Sequence, residues 1–227
     1  PIASLADVAI TNIEEMGTAT VYNLATESRT YIANGFAVHN CYEHNKSDKI
    51  MSLRVGEDAV DFILTDSDYI SADNTPAIIL EFMGGEPLLE IDLIEHIVSY
   101  FNRQAFKLNH PWFNMAMISI SSNGLLYLSE PVQRFVERHR NRLSLGISID
   151  GDKETHDACR VDTLGHGTYD RILPAVRQLI ASNQHSHTKV TFAHDSLTHI
   201  SAAIMHLMDL GFTDISANVV FEDVWAP

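Results

Sequence analysis

Residues 77–98 read Ala-Ile-Ile-Leu-Glu-Phe-Met-Gly-Gly-Glu-Pro-Leu-Leu-Glu-Ile-Asp-Leu-Ile-Glu-His-Ile-Val. The apolar run Ala77–Phe82 predicts a buried strand, and Ile91, Ile94, Val98 and Phe101 recur at helical spacing, which predicts a helix with one apolar face. Gly84-Gly85 between them predicts a tight turn, so the stretch is one βα unit. The same alternation extends both ways. Upstream, a helix is expected around Glu57–Thr65. Downstream come strand Met115–Ile120 and helix Pro131–Arg140, with Val132, Phe135 and Val136 inward, then strand Leu143–Ile149. A helix from Thr168 to Ala181 follows, with Pro174 just past its first turn and expected to kink it. Strand Lys189–Phe192, helix Ile200–Leu210 with Gly211 as its stop, and strand Asp214–Val220 complete the series. Five strands and five helices in this order predict an α/β fold, a parallel sheet wrapped by helices, most simply a partial barrel.

Residues 1–40 are of another kind. Short β-branched and aromatic runs, Thr18–Leu24 and Thr30–Val38, flank a polar turn at Glu27-Ser28 and carry a further turn signal at Asn34-Gly35. Two domains are expected, a small all-β unit over 1–40 and the βα array over 41–227. The chain opens on Pro1 and stops after the apolar-rich stretch Ser216–Trp225 without a helix to cover it, so it reads as a piece.

Composition bounds the function. Of 227 residues 45% are apolar and 20% charged, as in an ordinary globular protein able to bury a core. A net charge of −15 repels phosphate backbones and anionic lipid, which disfavours nucleic acid and membrane surfaces as partners. No run approaches the roughly 18 apolar residues of a membrane span, and no secretory signal precedes the fold, so a cytoplasmic protein is expected. The only cysteines, Cys41 and Cys159, are too few for a disulfide framework or a zinc knuckle.

Read as residues alone, Glu86 supplies a carboxylate over the C-terminal end of a strand, where barrel sites form, beside two glycines that permit close backbone approach. The bland alternative is a tight βα turn whose Glu favours the helix N-terminus. His185 and His187 read as solvated in a polar loop, His156 and Asp157 as the opening of a helix or loop, and Cys159 as a semi-buried neutral thiol. The acidic run Glu86–Glu95 partly favours the helix start and partly faces solvent.

The segment Val21 to Cys41, VYNLATESRTYIANGFAVHNC, resembles the C-terminal end of an intein, a likeness covering about residues 18–41. It implies splicing at Asn40/Cys41. The side-chain amide of Asn40 attacks its own carbonyl carbon, His39 polarises that carbonyl and protonates the departing amine, and Cys41 accepts the upstream polypeptide as a thioester that then shifts from sulfur to nitrogen. Where that family often has Asp and His, this chain has Asn23 and Arg29. An N-terminal intein half, with an upstream enzyme segment attached, is the implied partner, because residues 1–40 cannot splice alone.

From Cys41 to Trp225 the sequence resembles the radical S-adenosylmethionine superfamily, more narrowly the anaerobic sulfatase maturases and related peptide-modifying enzymes of the SPASM branch. The colinear matches are Cys41-Tyr42-Glu43, Phe82 to Leu89, Ser122-Asn123-Gly124-Leu125-Leu126, Ser148-Ile149-Asp150-Gly151, His156-Asp157-x-x-Arg160, Gly165-x-Gly167-Thr168-Tyr169-Asp170 and Asn218 to Trp225. The resemblance implies a partial (β/α)6 barrel holding a [4Fe–4S] cluster on three cysteines, with Cys41 as the third. An intein would thus interrupt the enzyme just before that ligand, and Cys41 would serve both steps. The fourth iron is left for S-adenosylmethionine, cleaved reductively to a 5′-deoxyadenosyl radical. Glu86, with Gly84, Gly85 and Pro87, would hold the cofactor's amino group, Ser148 its ribose or carboxylate and Arg160 its carboxylate, while Asn123 braces its loop. A peptide or protein substrate and an electron donor such as flavodoxin or ferredoxin are implied as partners. The first strand, two cysteines, last helix and Cys-rich extension of the family are not in these residues, so the isolated chain is expected to be inactive. Two other readings stand beside this one: a self-processing protein with the barrel as cargo, and a degenerate barrel that binds without chemistry.

Overall fold

The computed structural model describes residues 30–33, 36–39, 50–65, 77–162, 164–182, 186–192 and 198–219. The chain divides into two compact units, Pro1–Asn40 and Cys41–Pro227. In the first, β1 (Thr30–Ala33) and β2 (Phe36–His39) pair antiparallel from Thr30↔His39 to Ala33↔Phe36. That register leaves two residues between the strands, the length of a tight hairpin connection. Asn34-Gly35 and the run Thr18–Leu24 lie outside the described residues.

The second unit is a five-stranded, all-parallel sheet in the order β3 (Ile78–Phe82), β4 (Ala116–Ser122), β5 (Leu143–Ile147), β6 (Ser186–Phe192) and β7 (Asp214–Val219). Helices α1 (Leu53–Thr65), α2 (Ile91–Lys107), α4 (Glu130–His139), α6 (Tyr169–Ala181) and α7 (Ile200–Leu210) alternate with these strands. The sheet is curled into a half-barrel. Sequential order follows from right-handed βα crossovers, each of which lays the new strand beside the last with its helix on one face.

Two apolar layers hold the helices down. Ile118, Ile120, Leu143, Leu145, Ile147, Val190 and Phe192 of the sheet pack with Ile94, Val98, Phe135, Val176 and Leu207. A second cluster joins Val60 and Leu64 of α1 to Ile97, Phe101 and Ala105 of α2, with Trp112 beneath. Alternation puts the other strand residues on the opposite face. There β3 and β7 are exposed at Glu81, Asp214, Ser216 and Asn218, while Ser119, Ser144, His187, Lys189 and Thr191 are half-buried.

Two elements were not foreseen, a 3-10 turn at Pro87–Glu90 and α3 (Trp112–Met115), while α5 (Lys153–Cys159) starts before His156 and Asp157, which were expected to open a helix or loop and instead lie inside it. α1 starts one turn earlier than expected, and Pro174 stands inside an unbroken α6 on its exposed side, where the hydrogen bond it cannot make faces water. β6 begins at Ser186, which corrects the polar-loop reading of His187: that residue is half-buried in a strand. His185 lies outside the described residues. Cys159, expected to be semi-buried, is exposed at the end of α5. No helix among the described residues is long and apolar enough to cross a membrane.

Candidate cofactor site at the strand ends

β3, β4 and β5 end side by side at Phe82, Ser122 and Ile147, and the loops that follow are stitched together by one carboxylate. Glu86 is extended and caps the 3-10 turn, its Oε1 accepting the backbone N–H of Leu88 at 3.0 Å. The same oxygen accepts the hydroxyl of Ser122 at 2.8 Å, and Oε2 accepts the backbone N–H of Asn123 at 2.8 Å. Ser122 Oγ in turn accepts from Gly124 N–H at 2.9 Å, and Asn123 Oδ1 from Leu125 N–H at 2.9 Å, which closes the loop after β4. Ser148, just past β5, donates its backbone N–H to Ser122 O at 2.8 Å. A carboxylate offers about four lone-pair positions, so Oε2 still has room for a further donor.

The glycines beside Glu86 leave space. A Cβ added to Gly84 or Gly85 would meet nothing within 4 Å, and Gly84 holds φ +152°, a conformation that disfavours a side chain. The result is an open cradle with an acceptor at its rim, which fits a small cationic group. By contrast Gly124, at φ +81°, is packed tight: a Cβ there would lie 2.6 Å from Ile147.

The loop after β5 is built around Asp150, a carboxylate only 2% exposed. Arg160 binds it with two parallel bonds, Nε to Oδ2 at 2.5 Å and Nη2 to Oδ1 at 3.1 Å, and Thr191 N–H reaches Oδ1 at 2.9 Å. Asp150 donates its own N–H to His156 Nδ1 at 3.3 Å. Thr168 Oγ1 donates to the Arg160 carbonyl at 3.1 Å and lies 3.0 Å from His156 Nε2, which must therefore carry the ring proton. Burial pushes the His156 pKa down to about 4, in keeping with a neutral imidazole.

The structure thus brings Gly84, Gly85, Glu86, Pro87 and Asn123 together, sets Ser148 beside them through Ser122, and places Arg160 one loop away on Asp150. His39 closes β2, while Asn40, Cys41, Asn23 and Arg29 lie outside the described residues. Among the described residues no three His, Cys, Asp or Glu side chains could hold a metal ion. Residue-level reading missed Ser122 as the partner of Glu86 and the whole Asp150–Arg160–His156–Thr168 network. Its one sequence signal is the four-residue spacing of His156 and Arg160, one helical turn apart.

No protein-family model matches the chain. An uncharacterized protein of Methanocaldococcus jannaschii is 27% identical over 180 residues, covering 79% of this chain and 57% of the relative. The serine-type anaerobic sulfatase-maturating enzyme of Bacteroides thetaiotaomicron is 27% identical over 161 residues, 70% of this chain and 34% of the relative. A cysteine-type anaerobic sulfatase-maturating enzyme of Clostridium perfringens is 28% identical over 140 residues, 58% and 34%. The chain therefore spans between 34% and 57% of these curated relatives' length. Among solved structures, native anSMEcpe with bound AdoMet matches with a TM-score of 0.66 at 20% identity, over 83% of this chain and 48% of that one. Streptococcus suis SuiB bound to precursor peptide SuiA matches with a TM-score of 0.51 at 12% identity, over 79% and 35%. The fold is the partial parallel barrel of those structures.

Proposed function

We propose that residues 41–227 are the core of a radical S-adenosylmethionine enzyme that modifies a peptide or protein, and that residues 1–40 are the C-terminal part of an intein splicing at Asn40/Cys41. The observation that carries the enzyme reading is Glu86, a carboxylate fixed across two strand ends beside an open two-glycine cradle. The names of the relatives and the AdoMet and peptide in the matched structures support it, as does the motif order from Cys41 to Trp225. When bound, S-adenosylmethionine and a [4Fe–4S] cluster supply a 5′-deoxyadenosyl radical through reductive cleavage of the sulfonium, with flavodoxin or ferredoxin as the electron source in the cytoplasm.

This chain's own residues bind, orient and shield. Oε2 of Glu86 would accept a hydrogen bond from the cofactor's ammonium, and Gly84 and Gly85 leave the space that a side chain would fill. Pro87 fixes the turn that aims Glu86, and Asn123 closes the neighbouring loop. Ser148 offers its hydroxyl to the ribose or carboxylate. Arg160 keeps guanidinium N–H groups beyond those bound to Asp150, and these would serve the cofactor's carboxylate. Cys41 would provide a thiolate to iron after serving as the splicing nucleophile, two tasks that both need the deprotonated sulfur.

The test is cofactor binding and 5′-deoxyadenosine formation in the complete, anaerobically reconstituted protein. Glu86→Gln removes a charge-assisted bond and should weaken S-adenosylmethionine binding roughly ten- to a hundredfold, with iron content unchanged. Ser122→Ala removes one support and keeps the carboxylate, so its loss should be only a few-fold, about 0.5–1 kcal/mol. Equal affinity and turnover in Glu86→Gln, at parental iron content, would return residues 84–87 to a plain helix-start turn and favour the non-catalytic barrel.

A further inference from the structure

Charge is unevenly laid along this chain. From His96 to Ser129 there is no Asp or Glu, in a sequence with 30 acidic and 15 basic residues. That stretch holds most of α2, then α3 and β4, and within it lies the corner where α2 ends. The corner is firmly closed. Asn109, at φ 49°, takes the left-handed conformation after the helix, while His110 N–H donates to Ala105 O at 2.8 Å and Asn109 N–H to Phe106 O at 3.0 Å. This ending turns the chain back, so that Phe113 of α3 meets Phe106 of α2 with ring centroids 5.4 Å apart.

Little covers the ring pair. Phe106 is 69% exposed, Leu108 and Met115 at the same corner are more than half exposed, and Phe113 is half-buried. Single exposed apolar side chains are ordinary, but four at one corner, two of them aromatic, form a patch of the kind that partners cover.

Cations without acids stand around it. Elsewhere bases pair: Arg134, Arg138 and Arg140, on and just after α4, each lie within 3.5 Å of a glutamate. Arg103, Lys107 and Arg142 form no ion pair among the described residues. Neutral groups hold two of them. The Arg103 guanidinium sits 5.6 Å over the ring of Tyr100, whose hydroxyl engages Asp61 at 2.9 Å, and Arg142 Nη1 donates to Asn102 Oδ1 at 3.1 Å. Asn102 and Arg103 lie one turn before Phe106 on α2, so positive charge is placed beside the rings and left uncompensated. The helix C-terminus accounts for cations at Arg103 and Lys107, and not for Arg142, which enters β5.

The make-up of the corner selects its partner. Aromatic and arginine side chains carry much of the binding energy at protein interfaces, and guanidinium groups already held in place lose little freedom on binding. A nucleic acid or an anionic bilayer brings a dense array of charge that the net −15 of the whole chain repels. A short acidic segment meets mainly the local cations, since at physiological salt the Debye length is about 8 Å. We propose that the corner between α2 and α3, with Phe106 and Phe113 at its centre and Arg103, Lys107 and Arg142 around them, is a docking site for an acidic protein segment with aliphatic side chains among its Asp and Glu residues. The seven residues of β4 separate this corner by about 20 Å from Ser122 and Glu86. A partner docked here leaves the cofactor site open, and the proposal stands independently of the radical-enzyme reading.

The test is fluorescence anisotropy with the full chain and short labelled peptides. The probe Asp-Glu-Leu-Ile-Asp-Glu-Leu should bind saturably with a Kd of about 10–100 μM at about 50 mM salt. Asn-Gln-Leu-Ile-Asn-Gln-Leu and Asp-Glu-Ser-Ser-Asp-Glu-Ser should each bind at least roughly tenfold more weakly, since each lacks one half of the match. Phe106→Ala should weaken the acidic probe by about tenfold or more. Arg103→Glu combined with Lys107→Glu should do as much, by a margin that shrinks at about 500 mM salt. Urea midpoints of these variants should match the parent, because the altered side chains are exposed. No saturable binding up to about 1 mM overturns the proposal, and so does equal affinity in Phe106→Ala. Phosphatidylserine vesicles or a thymidine oligonucleotide binding with the same dependence on Phe106 and Arg103 would replace the protein partner by a membrane or a nucleic acid. Self-association of the parent in sedimentation, lost in Phe106→Ala, would hand the corner to a second copy. Probe binding seen only with Asp66→Asn, Asp68→Asn and Asp73→Asn together would hand it to the chain's own link between α1 and β3. Each of these three outcomes also overturns the proposal.

Discussion

His156 ties the acid stability of the barrel to one proton. Its folded pKa of about 4 lies below the ordinary value of 6.5, so on acidification the unfolded chain takes up the proton first. The stabilisation is complete above about pH 6.5 and is lost progressively as pH falls toward 4. At pH 5 the loss from this group is on the order of 2 kcal/mol. Urea unfolding at pH 7 and pH 5 checks it: the parent should lose more stability between the two than His156→Asn, and equal losses would discard the assignment. Its neighbour Arg160 makes a second case. Asp150 is nearly sealed from water and Arg160 about one-quarter exposed, so Arg160→Met leaves a buried carboxylate without its cation. Breaking such a pair costs about 3–5 kcal/mol, and the lower end applies because Thr191 N–H still serves Asp150. Urea midpoints measure that loss, and a change below about 1 kcal/mol would mean that water already solvates the pair.

At the scale of elements, α2 carries the largest mechanical duty, since one face packs on the sheet and another on α1. Phe101 is fully buried where α1, α2 and Trp112 meet, so Phe101→Ala should destabilise by about 3–5 kcal/mol in thermal or urea unfolding. A cost under about 1 kcal/mol would mean that the cluster collapses into the gap. The long periodic elements were legible in the sequence because their apolar spacing reports the face they bury: Ile91, Ile94, Val98 and Phe101 mark α2 without ambiguity. α5 was not, because its single buried side chain is His156 and its helix depends on Asp152 capping Thr155 N–H at 2.9 Å. β6 was mistaken at its start because Ser186, His187 and Thr188 have little apolar signal, and their strand form comes from ladders on both sides. At the site, the motif order pointed to Glu86. That its carboxylate is already holding Leu88, Ser122 and Asn123 depends on contacts between residues distant in sequence, which no local pattern encodes.

For the whole molecule, the boundary between its two compact units falls between Asn40 and Cys41, the bond the proposed splicing would break. With a matching N-terminal intein half fused to the upstream enzyme segment, mass spectrometry should find a ligated product whose downstream part begins at Cys41, and Asn40→Ala should block release. An unprocessed chain beside a correctly folded complement would count against the intein reading. These 227 residues contain two cysteines, Cys41 and the exposed Cys159, whereas a site-differentiated four-iron cluster needs three converging thiolates. Anaerobic reconstitution of these residues alone should therefore give little stable cluster, and a stoichiometric one would displace Cys41 from the proposed ligand set. The sheet has one further consequence. Because its spatial order from β3 to β7 is also the order of synthesis, each strand finds its first neighbour already waiting. A nascent chain leaving the ribosome can close each ladder after one more helix and strand have emerged, so no early edge waits long for a distant mate. Pairing of β3 to β7 therefore does not wait on chemistry at the Asn40–Cys41 bond, and a slow junction delays maturation without holding those four ladders open.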